Sequence, residues 1–265
     1  MRSFKILLAT SSLAALSVAQ TTVYPGGVVN SASFSKTQAV APGAIVAIFG
    51  TNLSSNTVPA DTVPLSTLIN NTSVTFNGIA APLLFVASGQ INAQMPWEAL
   101  QGGATTGTVN IVVQNAGSAS TPVPIQVASI APGIYSIPPG AGYAVAINNA
   151  DGSIAAPPGA IPGINTHPAK VNDVIILYAS GLGPLDIPVK DGFASTDATR
   201  RTLTTPTLLL NNTPANIFFS GMTPQFPGIN QINFFVPQVS PGNSLPLQLQ
   251  VAGVTTTDQV VMAVQ

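Results

Sequence analysis

Two stretches decide the fold: Gln90-Ile91-Asn92-Ala93-Gln94-Met95-Pro96-Trp97 and Gln231-Ile232-Asn233-Phe234-Phe235-Val236-Pro237. In the first, Gln90, Asn92 and Gln94 alternate with Ile91, Ala93 and Met95, the period-2 pattern of a half-buried β-strand. A proline ends each run. In the second, Phe234 and Phe235 replace Ala93 and Gln94, so the polar face stops at Asn233. Gln90, Asn92, Gln231 and Asn233 are read as structural residues whose amides bond loop backbone and fix the strand's end. The echo predicts that Asn92 and Asn233 hold equivalent places in two superposable sandwiches.

Working outward, the same order of segments recurs on both sides of each phrase. Ala44–Phe49 corresponds to Val174–Tyr178, and Gly50-Thr51-Asn52-Leu53 to Ala179-Ser180-Gly181-Leu182. Val74-Thr75-Phe76 runs into Asn77-Gly78, a pair that suits a type I′ hairpin because both turn positions need positive φ. Its counterpart is Leu208-Leu209-Leu210 with Asn211-Asn212. Leu83-Leu84-Phe85 corresponds to Ile217-Phe218-Phe219. Val109–Val113 and Val123–Val127 flank Asn115-Ala116-Gly117, as Leu245–Val251 and Val260–Val264 flank Gly253. Pro122 and Pro124 place the Val123 strand at a sheet edge, since proline cannot donate to a ladder. Tyr143–Ile147 and Ile154 flank an Asp-Gly turn over Asn148–Ser153.

The spacing between copies is 118 residues at Val29/Ile147, 129 at Gly50/Ala179 and 141 at Gln90/Gln231. A growing spacing places extra loop residues in the second copy, with Pro157–Pro168 and Thr223–Gly228 as the insertions. The reading is all-β: two tandem Ig-like β-sandwich domains related by internal duplication. The first runs over residues 20–137 and the second over 138–265, with Pro138–Gly142 as the turn between them. The 24 prolines and 23 glycines, and the lack of long stretches with i, i+3, i+4 apolar spacing, agree with an all-β chain of frequent turns.

Residues 1–19 read as a signal peptide. Arg2 and Lys5 form a basic start, Ile6–Leu16 an apolar centre, and Ser17-Val18-Ala19 a small-residue cleavage site. The expected address is therefore secreted, whether extracellular, cell-surface or periplasmic, without stable membrane insertion. The chain has no cysteine, so the fold uses no disulfides. From residue 20 onward, Lys36, Lys170, Lys190, Arg200 and Arg201 stand against 8 acidic residues. Five scattered cations do not make the clustered footprint that a nucleic-acid binder needs. Arg200-Arg201 is read as a solvated loop.

The whole set of phrases, including Ala41-Pro42-Gly43, Ala131-Pro132-Gly133-Ile134-Tyr135 and Tyr178-Ala179-Ser180-Gly181-Leu182-Gly183-Pro184, resembles the Solibacter-type uncharacterised C-terminal domain family of secreted acidobacterial proteins. Each half also resembles an IPT/TIG-type Ig-like domain, through the Gly-Thr-Asn-Leu turn and the Phe-Asn-Gly hairpin. The resemblance implies fold and address and supplies no catalytic residues. Such units commonly end larger secreted proteins, whereas here the unit directly follows the signal peptide, so the chain is expected to act alone or in an assembly.

Chemistry-bearing residues are sparse. Ser-His-Asp catalysis needs a histidine base, and the only histidine is His167 in a Pro-rich loop. Ser180 lies in a turn that misses the Gly-x-Ser-x-Gly pattern. Asp186 and Asp191 share one loop and are the carboxylates that could serve a glycosidase-like hydrolase or a ligand. Trp97, the single tryptophan, is either a sugar-stacking platform or a buried plug. Asn149 and Asp151 are calcium candidates in an oxygen-rich turn, and zinc does not fit one histidine and no cysteine. No catalytic residue and no cofactor is expected. The functional expectation is a non-catalytic surface protein with a structural or adhesive role, its partner an extracellular protein or glycan. A carbohydrate-binding module is the alternative, and an Asp-dependent hydrolase the distant one.

Overall fold

The computed structural model describes residues 20–265. The expected signal peptide lies outside the described residues. The described residues form four β-sheets. In the first half, the strands are β1 (Thr22–Asn30), β2 (Ile45–Thr51), β3 (Val58–Pro59), β4 (Thr72–Phe76), β5 (Ile79–Ala80), β6 (Leu83–Val86), β7 (Gln90–Gln94), β8 (Thr106–Asn115), β9 (Ser118–Ala119) and β10 (Val123–Ala128). One sheet has the order β1-β2-β7-β6-β3 and the other β10-β8-β4-β5, with β9 beside β8. The proline-bearing β10 is an edge strand, as Pro122 and Pro124 require. Ile48, Phe76, Leu83, Ile91 and Ile111 are fully buried in one core.

The second half continues with β11 (Gly133–Ile134), β12 (Ser136–Ile137), β13 (Ala141–Ala144), β14 (Ala146–Asn148), β15 (Val174–Ser180), β16 (Thr207–Leu210), β17 (Thr213–Pro214), β18 (Asn216–Met222), β19 (Asn230–Phe235), β20 (Gly242–Val251), β21 (Val254–Thr255) and β22 (Gln259–Val264). One sheet has the order β11-β15-β19-β18, with β14 beside β15. The other has β12-β13-β22-β20-β16-β17. The segment expected as one strand over Tyr143–Ile147 changes sheet at Val145: β13 runs parallel to β22, and β14 antiparallel to β15. On the near side of the expected turn, Gly133–Ile134 pair with β15 and Ser136–Ile137 with β13.

The two halves are copies at the level of individual bonds. Asn92 pairs with Ala47 and Phe85, and Asn233 with Ile176 and Phe219. Each outer strand carries an irregularity at the same place, between Leu83 and Phe85 and between Ile217 and Phe219. The Asn77-Gly78 turn has φ of 48° and 84°, and Asn211-Asn212 has 48° and 63°. The Ser120 hydroxyl accepts the Val113 N–H, and the Thr256 hydroxyl accepts the Leu249 N–H. Asn92 and Asn233 therefore occupy equivalent places. Their amides differ from expectation in one respect: they bond within the phrase and not to loop backbone. Gln90 Nε2 donates to Asn92 Oδ1 at 2.8 Å, and Gln231 Nε2 donates to Asn233 Oδ1 at 2.7 Å. Side chains two apart on a strand share a face, and on a half-exposed face they are each other's nearest polar partners.

The cores differ in where the large ring sits. The first half has Phe76 on one sheet and Ala93 on the other. The second has Leu210 and Phe234 at those positions, all fully buried. Volume moves across the sandwich while the packing stays full, the kind of exchange a core tolerates.

Candidate binding site

The sequence candidates fall into separate environments. The side-chain oxygen Oδ1 of Asp191 accepts the Trp97 backbone N–H at 3.0 Å. Next to it, Gln94 Oε1 accepts the Gly192 N–H at 2.6 Å, and Gln94 Nε2 donates to the Gly43 carbonyl at 3.2 Å. Leu65 N–H donates to the Gly192 carbonyl at 2.9 Å. The loop carrying Asp191 is thus a clamp from the second half onto the first. Trp97 is half-buried in that seam, its ring lying over Gly43, where a β-carbon would collide with it. Its indole N–H is buried without a partner. Burial, helped by the neighbouring Glu98 carboxylate and opposed by the Trp97 N–H, pushes the Asp191 carboxyl up to about 6.

Asp186 does not join Asp191. Its Oδ1 accepts the backbone N–H groups of Ile187 and Arg201, both at 2.8 Å, and so pins its own loop. Ser180 ends β15, fully buried, with no helix after it. Of the Arg200-Arg201 pair, expected as a solvated loop, Arg201 is exposed and Arg200 is not. Arg200 is buried and forked onto Asp197 at 2.6 and 3.1 Å, and Arg201 lies 5.0 Å over the Phe219 ring.

Of the calcium candidates, Asn149 is exposed, and Asp151 is engaged by the Ser153 N–H at 2.9 Å, the Ser153 hydroxyl at 2.7 Å and His167 Nε2. His167 Nδ1 faces the Pro168 carbonyl at 2.9 Å, so both ring nitrogens meet acceptors. The Asp151 hydrogen bond raises the imidazole above its usual value, and the Pro168 carbonyl adds to this. Among the described residues, no group of three or more His, Asp or Glu side chains could hold a metal ion.

The concave site lies elsewhere, on the outer face of β1 and β2. Between Val23↔Gly50 and Val28↔Ile48 the ladder breaks, leaving Tyr24–Gly27 opposite Phe49 alone. This wide bulge lifts the edge strand away from its neighbour. Gly26 adopts φ +67°, and a β-carbon at Gly27 would lie 2.9 Å from the carbonyl oxygens of Tyr24 and Phe49, so the bulge needs both glycines. The result is an open groove of about 700 Å³ walled by Tyr24, Val29, Phe34 and Phe49, with Lys36 at its edge. The Phe34 and Phe49 rings are 6.1 Å apart and tilted by 49°. Phe49 pairs with Gln90, which places the Gln90–Asn92 amide row on the same sheet face. Sequence reading missed Tyr24, Phe34, Lys36 and Phe49 as a set, because a bulge that needs Pro25-Gly26-Gly27 to break a ladder resembles any other turn.

Residues 28–127 match the IPT/TIG domain family. No curated protein matches the chain. Among solved structures, the chain is similar to SGBP-B of the Bacteroides ovatus mixed-linkage glucan utilization locus, solved with a mixed-linkage heptasaccharide, at 14% identity over 86% of this chain and 44% of that one, TM-score 0.34. It is similar to domains 5–6 of the S-layer protein SbsC at 13% identity over 92% and 99%, TM-score 0.26. It is similar to the plexin A4 extracellular region at 9% identity over 93% and 18%, TM-score 0.25. The chain spans less than half of the glucan-complexed protein and under a fifth of the plexin region. The first half thus carries the IPT/TIG match, and the second repeats the central pairings of the same Ig-like sandwich while its Ser136–Ala144 segment crosses to the other sheet.

Proposed function

We propose that this is a secreted, non-catalytic Ig-like protein with a binding role at the cell exterior, structural or adhesive in character, in keeping with the secreted two-domain family its sequence resembles. The single observation that carries this reading is the groove of about 700 Å³ on the first sandwich, walled by aromatic rings and with no carboxylate or histidine among its lining residues. A site that binds without reacting needs shape and contact area, whereas general acid–base work needs titratable groups placed together. The seam at Gln94, Trp97, Asp191 and Gly192 supports the reading, because a locked pair of sandwiches presents its groove in a fixed direction. Fractionation of native cells, followed by release of the protein from envelopes, tests it. A wholly cytoplasmic protein, or a hydrolytic activity lost with Asp186→Ala or Asp191→Ala, would refute the proposal.

The second reading is carbohydrate binding. It is favoured by aromatic walls beside an uncharged amide row, Gln90 and Asn92, on one open sheet face. Trp97, packed in the seam, is not the platform this reading needs. Retention on immobilised polysaccharide, lost with Tyr24→Ala, tests it.

A further inference from the structure

Phe34 sits where its internal copy has glycine. Asn30 Oδ1 accepts the Ala32 N–H at 2.9 Å, and Asn148 Oδ1 accepts the Ala150 N–H at 3.0 Å. The Asn30 carbonyl accepts the Phe34 N–H at 2.9 Å, and the Asn148 carbonyl accepts the Gly152 N–H at 2.8 Å. The Ser33 hydroxyl accepts the Ser35 N–H, as Asp151 Oδ1 accepts the Ser153 N–H. The turns are therefore the same turn, and Phe34 and Gly152 are its left-handed residue, with φ of 52° and 72°. Glycine adopts that conformation freely, while a bulky residue there is strained. Such strain persists only where the surroundings over-determine it, and it clusters at ligand sites.

Here the surroundings do so. Asn30 Nδ2 donates to the Ala131 carbonyl at 2.9 Å, Ser31 bonds the Tyr135 hydroxyl at 2.8 Å, and the Gly140 backbone packs on Ser33. The strained backbone delivers the Phe34 ring to the groove wall beside Phe49. In the second half, no ring leaves the turn, and β13 has moved to the other sheet, so the groove has no counterpart there.

The groove's charge is equally particular. Lys36 is the only lysine or arginine between residues 20 and 169. It is exposed at the edge of the groove, two residues after Phe34. Tyr24, opposite, keeps 46% of its surface open to solvent. Flat apolar walls suit the face of a six-membered ring, and a lone ammonium on a neutral surface suits one carboxylate.

Resting on the carbohydrate reading above, we infer that the Tyr24–Phe34–Phe49 groove binds a uronic-acid sugar, with the ring against the aromatic walls and the carboxylate on Lys36.

The test is affinity electrophoresis of the intact protein in gels containing polygalacturonate or a neutral β-glucan, with calorimetry on trigalacturonate. Polygalacturonate should retard the protein more than the neutral glucan, and added salt should weaken the retardation. Phe34→Gly and Tyr24→Ala should each weaken binding about tenfold, the scale of one aromatic contact. Lys36→Gln should weaken it about fivefold, the scale of an exposed ion pair, and erase the preference for the acidic polymer. Phe34→Gly installs the residue its own copy uses, so it should fold and melt like the parent, which separates lost binding from lost fold. Retention by the neutral glucan alone, or binding indifferent to Lys36→Gln, would overturn the uronate assignment and leave the carbohydrate reading standing. Binding indifferent to both Phe34→Gly and Tyr24→Ala would overturn the groove. No retention by either polysaccharide would sink both.

Discussion

The side-chain oxygen of Gln94 accepts the Gly192 N–H at 2.6 Å, across 98 residues of sequence, while the nitrogen of the same amide donates to Gly43. Gln94 is completely buried. Its counterpart in the second copy is Phe235, which is exposed and packs on Phe218 at 5.0 Å. The duplicated phrase thus diverges at the position where one half grips the other.

Gln94→Leu removes both bonds and leaves two buried backbone groups unpaired. A loss of about 2–4 kcal/mol is expected from the cost of each orphan. Because the bonds cross the seam, chemical denaturation should become biphasic as the halves uncouple. A single transition shifted by less than about 0.5 kcal/mol would show that the clamp does not couple them.

Asp191 sets a pH dependence. Its carboxyl is held at about 6 in the folded protein, against about 3.9 in an unfolded chain. The folded state therefore holds the proton more tightly. That contribution is complete below about pH 4 and is lost as pH rises through about 6. Burial also pushes the Asp258 carboxyl up, with the same sign. Asp191→Asn keeps an acceptor for the Trp97 N–H and cannot ionise. It should stabilise the protein at pH 7.5 by about 1 kcal/mol, after discounting for the exposed part of the group, and change little at pH 4. Thermal melts at the two pH values measure this, and equal shifts at both would contradict it.

Asp151 and His167 form an exposed clip between the Asn148–Ser153 turn and the Pro157–Pro168 insertion. The imidazole is raised and the carboxyl depressed, each mainly by their mutual hydrogen bond. The clip is whole between those two values. It opens as pH rises through that of His167 and as pH falls toward that of Asp151. An NMR titration should place His167 above about 6.5, its usual value, and Asp151→Asn should bring it back down. An unshifted histidine in the parent would remove the clip.

Gly152 offers the converse of the Phe34 experiment. Nothing lies within 4 Å of where its β-carbon would be, and φ is +72°. Gly152→Ala therefore meets no steric barrier and only backbone strain. A destabilisation of about 1 kcal/mol is expected, readable in the denaturation midpoint. A neutral outcome would mean that the left-handed turn costs little in this fold, and would weaken the significance of Phe34.

Local chemistry determined much of this protein. Alternation along Gln90–Met95 defines a strand with one dry face, and Asn77-Gly78 dictates a positive-φ hairpin that its neighbours cannot alter. The spacing of 118 residues between Val29 and Ile147 already aligns Phe34 with Gly152, and the structure shows Val29 and Ile147 paired with equivalent partners, Ala47 and Ile176. The strain at Phe34 was thus within reach of the sequence once the copies were overlaid.

Tertiary structure decided the rest. Gln94 belongs to the polar stripe by periodicity, yet it is buried, because Gly192 from the other sandwich lies on it. Asp186 and Asp191, neighbours along one loop, serve different backbone groups, because the loop's two ends anchor to Arg201 and to Trp97. Period and turn chemistry are properties of a few adjacent residues. Which face meets water, and which carboxylate loses it, depends on what a distant segment covers, and that contact exists only once the chain has closed on itself.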